Sequence, residues 1–198
     1  MNNRPSMAAL VRRGLRLERA TLAWNVVGVV VVGLAGLAAR SVALAGFALD
    51  SLIEIFASVV VIWELSGTTG AERTRRALRL IGTAFFALAL YLAVQGASVL
   101  LRADRPRISP LGMAWTALTA LVMVALARGK ARTGRALANP VLLTEARVTL
   151  VDACLAGSVL AGLALRAAFG WWWADPLAGF VIVFYGIKEG RAAWRVEE

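Results

Sequence analysis

The chain predicts an all-α membrane protein, a bundle of six transmembrane helices with both termini in the cytoplasm. Three observations predict it. Of 198 residues, 60% are hydrophobic, and mean hydropathy is +0.71, too apolar for a soluble domain of this size. The apolar residues gather into six runs, each near the ~20 residues that cross a bilayer. The basic residues fall between those runs, as topology signals do.

The first run extends from about Ala20 to Ala39 and the second from Ser41 to Leu65, with only Arg40 and Ser41 at the turn. The pair is predicted to form a tight helical hairpin. The loop Ser66-Gly67-Thr68-Thr69-Gly70 ends it. The third run covers Leu78 to Leu101 and stops at the break from Asp104 to Pro110. The fourth covers Leu111 to Ala127, the fifth Val141 to Leu165, and the sixth Trp171 to Ile187. All are expected as helices, because lipid supplies no partner for an open sheet edge. Trp171, Trp172 and Trp173 read as an interfacial belt, and Asp175-Pro176 as a capped helix start.

Orientation follows from the cations. Arg4, Arg12, Arg13, Arg16 and Arg19 precede the first run; Arg73, Arg75, Arg76 and Arg79 follow the second. Arg128, Lys130, Arg132 and Arg135 follow the fourth, and Lys188, Arg191 and Arg195 close the chain. These share one side; Arg40, Arg102, Arg105, Arg107 and Arg166 fall on the other. The positive-inside bias places both termini in the cytoplasm. The expected organisation is a basic N-terminal segment (1–19), a transport domain (20–187) and a short tail (188–198).

Composition also excludes. The net charge of +10 lies on no single stripe or tail, so nucleic acid is not an expected partner. No small-residue cleavage site follows the first apolar run, so no signal peptide is expected. The one cysteine, Cys154, permits no disulfide framework and reads as a small apolar filler. There is no histidine, the usual neutral zinc ligand and proton switch. No nucleophile with a partner base and no phosphate-cradling glycine motif appears, so an enzyme is not expected.

Against this background the buried acids stand out. Asp50 and Glu54 lie one helical turn apart in the second run, and Ser58 continues their face. A charge at the bilayer centre costs about 2.5–3.5 kcal/mol on insertion scales. Two therefore cost about 5–7 kcal/mol without compensation, and a cation is the natural compensation. In the fifth run Glu145, Thr149 and Asp152 share a face at i, i+4 and i+7. Acids on two helices must point into the bundle, where a divalent cation would accept their oxygens. A satisfied polar pair in the core is the alternative for each. Glu145 is expected near the cytoplasmic end, paired with Arg147 or meeting water. Asn25 and Gln95 read as helix–helix hydrogen bonds.

On these residues the chain resembles the cation diffusion facilitator family. Ser41-Val42-Ala43-Leu44 followed by Asp50-Ser51-Leu52-Ile53-Glu54 is similar to that family's Ser-x-x-Leu entry and two acids four apart. By resemblance, Asp50 and Glu54 are metal ligands. The family's second pair, a histidine or aspartate and an aspartate four residues on, falls on Val148 and Asp152, with Glu145 at a position that often carries an acid. Trp173-Ala174-Asp175-Pro176 resembles the start of the family's sixth helix. Family members commonly end in a cytoplasmic metal-sensing domain, so the resemblance is to a short member.

The resemblance implies a divalent metal transporter of the plasma (inner) membrane, exporting its ion from the cytoplasm by proton antiport. Asp50, Glu54 and Asp152 would be ligands, with Glu145, Thr149 or water completing the shell. The ion (Zn, Mn, Fe or Co) is a substrate and no cofactor is implied. An all-oxygen shell shifts preference from zinc toward manganese, ferrous iron or cobalt. The partners are the metal ion, protons and the lipid bilayer. Monomer and homodimer both stay open, the third helix being a candidate pairing surface. The alternative is a non-transporting membrane scaffold with a degenerate site.

Overall fold

In a computed structural model, the structure describes residues 6–39, 42–67, 70–102, 109–171 and 173–195. Those residues form six helices: α1 Met7–Ala39, α2 Val42–Leu65, α3 Ala71–Arg102, α4 Pro110–Leu137, α5 Pro140–Phe169 and α6 Ala174–Arg195. Five of them, α1 to α5, are long and apolar enough to cross a membrane. The expected turn at Arg40 and Ser41 and most of the break after α3 lie outside the described residues.

Several helices overrun their apolar runs. α1 begins at Met7 and α3 at Ala71, since Ala, Leu and Arg propagate a helix whether or not lipid surrounds it. The largest departure is α4. Residues 128–137, expected as a basic loop, continue the helix to Leu137. The actual α4–α5 connection is Ala138 and Asn139. Ala138 adopts the left-handed conformation at φ 50°, and Asn139 caps α5 by accepting from Leu142 N at 2.8 Å, with Pro140 in the first turn. At the other end of α4, Ser109 accepts from Gly112 N at 3.1 Å ahead of Pro110.

The helices assemble as a ring and a flanking pair. α1 packs on α2, α2 on α5, α5 on α4, and α4 on α1; α3 packs mainly on α6 beside this ring. Small residues let these backbones approach. Along α1 the buried residues Gly14, Glu18, Thr21, Asn25, Gly28, Val32, Ala35 and Ala39 form one stripe. A β-carbon on Gly82 of α3 would meet Trp194 and lie 3.2 Å from the carbonyl of Gly190 on α6. The side-chain ends of Gln95 and Tyr91 close over Gly46 of α2, and a β-carbon there would displace them. Asn25 binds within its own helix, donating to Thr21 O at 3.2 Å. Trp24 and Trp115 stack at 5.0 Å along the α1–α4 seam, where Trp24 Nε1 donates to Thr119. Cys154 is exposed, against the expectation of a buried filler: it lies two residues from Asp152 and so turns away from the ring.

Two apolar clusters fill the interior. One joins Val32, Leu44, Phe47, Leu88, Leu155 and Val159. The other joins Val60, Val61, Ile81, Phe85, Leu142 and Val148. Asp50 and Glu54 on α2 and Asp152 on α5 fall between them, while Glu145 lies within the second.

Candidate metal centre

The buried polar layer draws on all four ring helices. α2 supplies Asp50, Glu54 and Ser58; α5 supplies Glu145, Thr149 and Asp152; α4 supplies Lys130 and α1 Glu18. Every one of these side chains is buried. The spacings read from the sequence therefore operate: the acids of α2 and α5 converge on the bundle interior.

They converge as two linked groups. The carboxyls of Asp50 and Asp152 adjoin one another. Asp50 Oδ2 and both oxygens of Asp152 are buried without a hydrogen-bond donor. Two carboxylates are acceptors only, so a shared proton or a cation between them would relieve their repulsion.

The second group is organised by Lys130. Its ammonium lies 2.9 Å from Glu18 Oε2 and 3.0 Å from Glu145 Oε1, and donates to Thr149 Oγ1 at 2.8 Å. An ammonium can only donate: two of its protons go to Glu145 and Thr149, and Glu18 faces it as an ion pair. Thr149 in turn donates to Glu54 Oε1 at 2.7 Å. A continuous polar path thus runs from Glu18 and Glu145 through Lys130 and Thr149 to Glu54.

Two expectations are corrected here. Glu145 is wholly buried and paired with Lys130, rather than meeting water at the cytoplasmic end. Lys130 is no loop cation, for it is as buried as any apolar residue. Arg128, Arg132 and Arg135 around it are exposed, as charges flanking a span should be. The sequence did hold a signal: Thr116, Met123 and Lys130 recur at intervals of seven and are all buried on one face of α4. Glu18 sits on the α1 stripe, seven residues before Asn25. Grouped with its arginine neighbours as a cytoplasmic segment, it was hidden.

Among the described residues, no three of the acid or cysteine side chains meet closely enough to cage an ion. The arrangement offers instead a facing pair, Asp50 and Asp152, with Glu54 one turn away and held by Thr149.

A sixth buried acid, Glu64, lies at the end of α2. Asn139 donates to its Oε2 at 3.2 Å and Thr74 to its Oε1 at 3.4 Å. It ties the N-terminus of α5 and the start of α3 to α2. Arg73 covers Trp63 beside it, 3.9 Å from the ring centroid.

A ring of apolar helices enclosing a layer of carboxyls marks an integral, multi-pass membrane protein. The chain matches the family model of the cation efflux transmembrane domain over residues 19–195. It belongs to that family, the cation diffusion facilitator type of cation transporter, whose members are transporters rather than enzymes.

Proposed function

We propose that this protein exports a divalent metal ion from the cytoplasm by proton-coupled antiport, and that the ion binds between α2 and α5. The observation that carries this reading is the adjoining pair of Asp50 and Asp152, three of whose four carboxyl oxygens are buried without a hydrogen-bond partner. A buried carboxylate pair without a cation is strongly disfavoured. Metal on the outward leg and protons on the return leg would satisfy it alternately. Glu54, oriented by Thr149, is the natural third ligand. Glu145 can join the shell only when its pair with Lys130 opens.

The donors are oxygens throughout, which favours manganese, ferrous iron or cobalt, with zinc less well matched. The site lies between two apolar clusters, so release to either side requires one of them to part, as alternating access demands. Six spans with both termini in the cytoplasm, in the plasma (inner) membrane, complete the reading; α6 is its sixth span.

The test is metal flux into proteoliposomes driven by a pH gradient. Wild type should move manganese, while Asp50→Ala and Asp152→Ala should not, although both insert and purify. Wild-type flux in both variants would overturn the site. Calorimetry on detergent-purified protein with manganese, cobalt, zinc and cadmium adds a binding readout. No heat with any of them would favour a non-transporting membrane subunit.

A further inference from the structure

The ring encloses more carboxyls than one divalent ion can satisfy. Glu18, Asp50, Glu54, Glu145 and Asp152 are all buried in one layer, and Lys130 is the ammonium among them. Its Nζ lies 2.9 Å from Glu18 Oε2 and 3.0 Å from Glu145 Oε1, and it donates to Glu145 and to Thr149. That geometry is a cation cradle: two carboxylates from two helices and a hydroxyl around one positive point charge. Both oxygens of Glu18, Glu145 Oε2 and the hydroxyl of Ser58 are buried without a hydrogen-bond partner. The cradle therefore has unused ligand atoms as well as used ones.

We infer that Glu18, Glu145 and Thr149 form a second cation site beside the transport site, permanently filled by the tethered ammonium of Lys130. The chemistry of the cradle supports it. Two carboxylates balance a divalent ion, and carboxylate and hydroxyl oxygens suit a hard cation such as manganese. Lys130 supplies one positive charge at a fixed place and cannot leave. Its presence excludes a second divalent ion from the layer and, through Thr149, holds Glu54 toward the first. The proposed transport function concerns the Asp50–Asp152 pair. The second site borders it, sharing Thr149 as the link to Glu54 and Glu145 as a candidate ligand, and is read out separately.

The test replaces the ammonium. Purified Lys130→Ala in detergent, dialysed to equilibrium against manganese(II), should bind one more ion per chain than wild type. The gain should vanish in Lys130→Ala/Glu145→Gln. It is measured relative to wild type, so it decides this inference whatever number wild type binds. A wild type that binds nothing would instead count against the transport site. If Lys130→Ala binds no more than wild type, the second site is overturned. Should the variant be lost on purification, the comparison moves to recovery with and without manganese(II). Folded, monodisperse protein obtained only with the metal supports the cradle, and equal loss in both conditions overturns it.

Discussion

Thr149 on α5 gives its hydroxyl proton to Glu54 on α2 at 2.7 Å, and the direction of that bond is dictated. Lys130 Nζ approaches the same hydroxyl at 2.8 Å and can only donate. The oxygen of Thr149 therefore accepts from the lysine, and its one proton goes to the carboxylate. A threonine, which reads in isolation as a helix-packing residue, becomes the joint between a buried ion cluster and a candidate ligand.

Replacing Thr149 with valine keeps its shape and removes the joint. One proton of Lys130 and one oxygen of Glu54 lose their partner, at about 1–3 kcal/mol for a buried group left unsatisfied. Flux in proteoliposomes should fall about tenfold or more, since about 1.4 kcal/mol of lost positioning corresponds to a factor of ten. Thr149→Ser, which keeps the hydroxyl, should retain most of it.

Breaking the Lys130 cluster should cost far more than breaking a surface pair. Glu18→Ala is expected to destabilise the bundle by about 3–5 kcal/mol, because it strands part of a buried charge. Arg76 and Glu72 on α3 form a pair at the similar distance of 2.9 Å, but both are well exposed. Glu72→Ala should leave the melting temperature in detergent unchanged within error.

Asn139 serves two ends at once, capping α5 and donating to Glu64. Asn139→Ala should cost about 1 kcal/mol for the cap alone. Asn139→Asp retains a capping oxygen but sets a second carboxylate against buried Glu64, so it should melt lower than a cap argument predicts. Neither should change the number of metal ions bound.

The α3–α6 crossing depends on absent side chains. Gly82→Leu would drive against Trp194 and the Gly190 backbone and should destabilise by about 1–3 kcal/mol as an overpacked contact. Gly33 on α1 has nothing within 4 Å of an added β-carbon. Gly33→Ala should be neutral or stabilising by up to about 1 kcal/mol. Thermal unfolding of the two variants in one detergent checks both.

Orientation can be tested without any assumption about the site. Fluorescent and phosphatase reporters fused at residue 1 and after residue 198 should report the cytoplasm at both ends. A periplasmic signal from the C-terminal fusion would remove α6 from the count of spans.

Much of this architecture was legible in the chain because lipid imposes two simple demands. Backbone groups must bond within the segment, and charged side chains must face inward or sit near the ends. From these came helices at all six apolar runs and the inward faces of Asp50, Glu54, Glu145 and Asp152. Helix ends were less legible. Overruns such as residues 128–137 contain no proline, and apolar content reports the membrane rather than the helix.

What the sequence alone determined is the kind of protein and which faces carry acid: periodicity is local, and a spacing of three or four residues assigns a face with no reference to other helices. What only the tertiary structure decided is who meets whom. Lys130 is 112 residues from Glu18 by number and lies 2.9 Å from it in space. A lysine among exposed arginines reads as a topology charge until α1 and α5 close around it. Ion pairing within the bundle is set by helix packing, and no window along the chain contains that information.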